Sequence, residues 1–232
     1  KVGHAGTLDP MATGLLLLGI GRATRFLTYL VGADKTYEAT VRLGVETTTE
    51  DADGQIVAAR GCQPSDLPEG RLREALTTLT GPIQQVPSAV SAIKVDGVRA
   101  HQRVRDGQDV ELQARPVTIH VLRLTAEPRK TVVEAALSDG PDVVEAVDID
   151  ILVSCSSGTY VRALARDLGR ALGCGAHLTA LRRTAVGPFD IDEAYTLACA
   201  STGTSSRLDE NRWYDIAREY YEEYLEQLNT AS

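Results

Sequence analysis

One carboxylate stands in a stretch unlike the rest of the chain: Gly3-His4-Ala5-Gly6-Thr7-Leu8-Asp9-Pro10-Met11-Ala12-Thr13-Gly14. Three glycines, two threonines and a proline around Asp9 favour a tight, exposed loop over a core element. Pro10 biases Asp9 toward extended backbone, and Gly6 and Gly14 permit turns or close approaches that a Cβ would forbid. An acid presented this way can serve as a general base or as a nucleophile. An Asx-type turn would explain a lone Asp-Pro, but the string is longer than a turn requires. The second group with chemical potential is Arg162, in the first turn of a predicted helix. A cation is disfavoured at the positive end of a helix dipole, so Arg162 calls for a carboxylate partner.

Other chemistries are poorly supported. The four histidines show no metal-ligand spacing, and there is no Gly-x-x-x-x-Gly-Lys phosphate loop and no Gly-x-Ser-x-Gly nucleophile elbow. Asp51 and Asp53 sit in a polar loop, Thr47 to Gly54, that lacks the twelve-residue calcium pattern. Cys62, Cys155, Cys174 and Cys199 are scattered and read as reduced thiols of a cytosolic protein. No apolar run approaches the ~20 residues of a membrane span.

The net charge of −8 argues against a nucleic-acid partner only when taken as one number. Residues 190–232 carry ten acids against three arginines, which leaves the rest near neutral. Within that remainder, Cys155 to Val186 holds Arg162, Arg166, Arg170, Arg182 and Arg183 against Asp167 alone. A basic strip on a neutral body can neutralise phosphates.

The elements that position these groups follow from periodicity. Leu15 to Ile20 is a short apolar run, predicted as a buried strand, and Arg22 to Val31 reads as a helix stopped by Gly32. Lys35 to Leu43 alternates, with Tyr37, Ala39, Val41 and Leu43 on the face a strand would bury. Leu72 to Leu79 is an amphipathic helix. Val117–Leu124, Val132–Leu137 and Val143–Val153 are β-branched strands. Tyr160 to Leu172 is a strong helix with apolar Val161, Leu164, Ala165, Leu168 and Leu172 on one side and Arg162, Arg166 and Arg170 on another. Leu178 to Val186 is a final strand. With no βαβ series, the expected fold class is α+β: a mixed, mostly antiparallel sheet with flanking helices. At 232 residues one substantial domain is expected over 1–190. Residues 191–232 read as a Ser/Thr-rich linker and an acidic amphipathic helix, Asp209 to Leu228. That helix is expected to dock on the protein's own body, with binding to a protein partner as the second reading.

Four ordered stretches carry a resemblance: the Asp9 string, Lys35-Thr36-Tyr37, Thr47 to Gly54 (TTTEDADG), and Cys155 to Val186 (CSSGTYVRALARDLGRALGCGAHLTALRRTAV). Together, over about residues 1–190, they resemble the TruB family, the bacterial tRNA pseudouridine-55 synthases. The resemblance implies a pseudouridine synthase-like fold and isomerisation of uridine in the tRNA T-loop, with base flipping and without cofactor or metal. It implies Asp9 as the catalytic acid, Arg162 as the partner that keeps it ionised, Tyr37 stacked on the target base, and Leu181 walling the pocket. It further implies RNA contacts from His4, Asp51, Lys94, Tyr160, Arg182 and Arg183, and an RNA-gripping insertion at about 86–107, where His101 replaces the family's usual aromatic residue. The family's Lys-Pro-x-Gly segment is absent before Lys1, so a cut N-terminal end is expected, and the acidic tail is a departure. A non-catalytic RNA-binding or chaperone protein on the same fold, or a pseudouridine synthase for another RNA, are the alternatives. The location expected is cytoplasmic.

Overall fold

The structure, a computed structural model, describes residues 1–88, 112–135 and 143–195, with backbone alone at 94–95 and 98–99. Val2–His4 (β1), Thr13–Gly14 (β2) and Leu18–Ile20 (β3) precede a 3-10 turn at Gly21–Arg25 and a short helix, Leu27–Val31 (α1). Lys35–Leu43 (β4) leads into Val45–Thr47 (β5) and Ile56–Ala59 (β6), then Glu69–Thr78 (α2) and Gly81–Gln85 (β7). Lys94–Val95 (β8) and Val98–Arg99 (β9) pair with each other, followed by Arg115–Leu124 (β10), Arg129–Glu134 (β11) and Val143–Cys155 (β12). Val161–Leu172 (α3), Ala176–Val186 (β13) and Phe189–Asp190 (β14) complete the described chain.

The main sheet runs β14-β13-β4-β12-β10-β7, with β11 added on β12 and β2 on β13. Every pairing in it is antiparallel except β2 with β13. The alternation of β4 fixes which face is covered: Tyr37, Ala39, Val41 and Leu43 are buried, as are Val147, Ile149, Ile151 and Val153 beside them on β12. α3 lies over this face with Val161, Leu164, Leu168 and Leu172 buried, each contributing on the order of 2 kcal/mol. The opposite face is tied by polar pairs. Arg42 donates two hydrogen bonds of 2.8 Å to Asp148, and Thr40 one of 2.8 Å to Asp150. His177 on β13 is buried, with Nδ1 2.8 Å from the carbonyl of Val45.

The mixed α+β sheet, the alternating β4 and the long α3 agree with the sequence reading. The predicted buried strand Leu15–Ile20 does not. Only Leu18–Ile20 is extended, in a two-stranded ribbon with β1, and Ile20 is 70% exposed. Gly19 lies opposite Gly3 in the ribbon and packs on Leu27, where a Cβ would come within 2.9 Å. The helix expected over 22–31 divides into a 3-10 turn and one α turn, and β6 and β7 were not anticipated. Lys94 as a side chain, His101, the remainder of the insertion, the linker and the acidic helix lie outside the described residues.

Candidate active site

The Asp9 loop is shaped by the far end of the chain. Pro10 occupies the second position of a turn closed by the amide of Ala12 donating to the carbonyl of Asp9 at 2.9 Å. β2 then runs parallel to β13, opposite Arg182 and Arg183. Gly14 has φ +99, and a Cβ on it would meet the Arg183 carbonyl at 2.2 Å, so the close approach needs glycine. The Arg183 guanidinium donates to the carbonyls of Leu15 (2.8 Å), Gly6 (3.3 Å) and Thr7 (3.4 Å). At 1% exposure it is a buried brace for the loop. The residue expected to contact RNA thus lies inside the chain, with donors turned to the chain's own backbone carbonyls.

The start of α3 is held from β7. Gln85, itself buried, accepts from the amide of Tyr160 at 2.9 Å and donates to the Tyr160 carbonyl at 3.1 Å. Two residues on, Arg162 projects back to the Asp9 loop. Its Nε and Nη2 donate to the two carboxylate oxygens of Asp9, both at 3.0 Å, a bidentate fork. Nη1 reaches the Thr49 carbonyl and Asp51 Oδ2, both at 3.3 Å. The arginine side chain is 6% exposed, whereas the side chain of Asp9 keeps 32%. The acid thus faces outward with its geometry fixed from behind.

Asp51 was expected to contact RNA. It is buried instead, accepting from Arg162, from the Thr49 hydroxyl and from the Asp53 amide. With Asp9 it supplies the negative charge that lets Arg162 sit at a helix start.

Tyr37 lies on β4 opposite Arg183 of β13 and Val153 of β12. Burial pushes its phenol up to about 12, Cys155 adds to the rise, and a hydrogen bond with Arg183 opposes it. It stays a neutral hydroxyl at physiological pH, beside Asp9. Lys35 is buried on the same strand, donating to the carbonyls of Ala33 (2.6 Å) and Val31 (3.1 Å). Burial first, then the charge of Arg183, lowers its pKa. Leu181 is buried opposite Ala39. With Met11, Thr13, Glu38, Thr40, Asp150 and Arg182 it borders a cleft of about 610 Å³, which Asp9 and Arg162 do not line. His4 and Arg182 are exposed and Tyr160 half-buried.

The structure therefore gathers Asp9, Arg162, Asp51 and Tyr37 about one point and leaves Leu181 on its flank. Sequence reasoning missed Gln85, Thr49 and the bracing role of Arg183. No helix among the described residues is long and apolar enough to cross a membrane.

Comparison with known proteins finds relatives of this chain. A model of the TruB family pseudouridylate synthase N-terminal domain matches residues 1–161, and one of the tRNA pseudouridylate synthase B C-terminal domain matches 162–228. The match thus continues beyond residue 190, where the resemblance was expected to stop. A tRNA pseudouridine synthase B of Arthrobacter sp. (strain FB24) is 59% identical over 198 residues, 85% of this chain and 60% of the relative. Its counterpart in Corynebacterium efficiens is 54% identical, covering 85% and 62%. The chain accordingly spans about 60% of the length of these curated relatives. Among solved structures, a Cbf5-Nop10-Gar1 complex matches with TM-score 0.57 and 27% identity, over 88% of this chain and 49% of that one. An H/ACA RNP bound to a substrate RNA containing 2'-deoxyuridine matches with TM-score 0.55 and 25% identity, over 89% and 48%.

Proposed function

The chain belongs to the TruB family of pseudouridylate synthases, and from that premise we propose that it isomerises uridine to pseudouridine in the T-loop of tRNA, at position 55. The observation that carries the reading is the bidentate Asp9–Arg162 pair, in which a partly exposed carboxylate is held by a buried guanidinium. In the reaction the bond from C1′ of the ribose to N1 of uracil breaks, the base turns, and C1′ rejoins through C5. N1 gains a proton and C5 loses one, so no electrons are exchanged with a cofactor. Asp9, oriented by the Arg162 fork, acts on the ribose, either as nucleophile at C1′ or as the base that takes a sugar proton. The neutral Tyr37 supplies a ring for the uracil to stack on and Leu181 an apolar wall. The target must leave the folded loop to reach Asp9. His4, exposed five residues before Asp9, is suited to filling the space it vacates. Exposed Arg182 is a phosphate contact, and Lys94 and Tyr160 complete the RNA-contact set. Such an enzyme works where tRNA is processed, in the cytoplasm.

The test is tritium release from a T-loop minihelix labelled at C5 of uridine. The parent protein should release it, and Asp9→Asn should bind within a few-fold of the parent and release none, because asparagine is isosteric but neither nucleophile nor base. Parent-like release by the asparagine variant refutes the role of Asp9. Binding without release by the parent leaves a non-catalytic RNA-binding protein, and release only from an unrelated RNA reassigns the substrate.

A further inference from the structure

We propose that Glu50, through Arg166, is a positioning residue for Arg162; the proposal rests on the catalytic reading of the Asp9–Arg162 pair. Glu50 is the one described non-glycine residue with positive φ, at +62, a conformation that a side chain disfavours. Such a conformation persists only where its surroundings over-determine it, and here they do. The Glu50 amide donates to Thr47 at 3.2 Å, and its carbonyl accepts from Leu178 at 3.0 Å. Its carboxylate pairs with Arg166 Nη1 at 2.8 Å, with side chains 16% and 12% exposed. The second carboxylate oxygen is buried without a partner among the described residues, so the side chain is held by that one pair.

The neighbours of Glu50 give this turn its consequence. Thr49 offers its carbonyl, and Asp51 its carboxylate, to the same nitrogen of Arg162. A shift of the turn would therefore swing Arg162 Nη1, and the planar guanidinium would carry Nε and Nη2 with it, away from Asp9. Arg166 stands one helical turn after Arg162 and also donates to the carbonyl of Val86 at 2.7 Å and to Asp167 at 2.9 Å. One arginine thus locks the turn to the helix and to the segment that follows β7.

The experiment is a cycle of Glu50→Gln with Arg162→Lys on the minihelix, read as single-turnover tritium release, affinity and thermal midpoint. Glutamine keeps the shape and removes the charge. In the parent background it should slow release about ten-fold with affinity within two-fold. In the Arg162→Lys background, where no planar fork remains to be aimed, it should slow release less than two-fold. Equal slowing in both backgrounds would mean a general structural effect and overturn the proposal, as would no slowing in the parent. A readout free of activity accompanies it: solvent exchange of the Arg162 Nε proton, by nitrogen-15 NMR of the free protein, should quicken about ten-fold in Glu50→Gln. Unchanged exchange overturns the positioning claim, while a silent parent with quickened exchange overturns the functional reading instead.

Discussion

Arg162→Lys separates a charge from a geometry. The guanidinium spans two sides at once, with two N–H groups on Asp9 at 3.0 Å and a third nitrogen on Thr49 and Asp51 at 3.3 Å. A lysine ammonium is a single point on a flexible stem and serves one side at a time. At least one charge-assisted hydrogen bond to Asp9 is lost, worth about 1.5–3 kcal/mol. At ~1.4 kcal/mol for each factor of ten, turnover should fall by roughly ten- to hundred-fold if the loss is felt when the acid reacts. The positive charge is retained and Arg162 is buried, so affinity for RNA should change little. The assay is single-turnover tritium release under excess enzyme, with affinity by filter binding and the fold checked by circular dichroism. An unchanged rate in a folded variant removes Arg162 from the reaction. A fall in affinity as large as the fall in rate would mean that it contacts RNA rather than orients Asp9.

Arg183→Met should destabilise the protein by about 3 kcal/mol or more, since it strands the carbonyls of Leu15, Gly6 and Thr7 at roughly 1–3 kcal/mol each. Urea denaturation measures this, and a variant of parent-like stability that fails to bind minihelix would restore Arg183 to the RNA surface. His177 has its pKa lowered chiefly by burial, from an ordinary 6.5. Its neutral form is favoured in the folded state, so the stability it contributes is present above pH 6.5 and lost as pH falls below it. The loss should approach but not exceed about 1.4 kcal/mol per pH unit, the limit for one proton. Urea midpoints between pH 8 and 5 should be flatter in His177→Gln, and parallel profiles would assign the acid sensitivity elsewhere.

The parts of the molecule visible in the sequence were those where one local pattern decides. The alternation of Lys35–Leu43 and the apolar stripe of 161–172 each bury one face and need no distant partner to be recognised. A cation in a first helical turn is locally unfavourable and asks for an anion, and it was the family resemblance that named Asp9 as that anion. Contacts set by tertiary approach stayed hidden. Arg182 and Arg183 look alike as neighbours, yet a strand sends successive side chains to opposite faces, and one is exposed while the other is buried. Leu15–Ile20 misled because hydrophobicity reports burial only on average. Gly19 packs on Leu27, and the ribbon lies apart from the main sheet.

The brace between the first loop and the last long strand sets a schedule for synthesis. Arg183 lies 168 positions after Leu15, and Arg162 lies 153 after Asp9. A ribosome adding about 5–20 residues per second would leave the acid without either partner for roughly ten seconds or more after it emerges. Through that interval the nascent chain carries the motif but no oriented carboxylate, and an incomplete product ending before β13 would carry it unbraced. The oriented carboxylate therefore forms late, when β13 grips an Asp9 loop translated long before it.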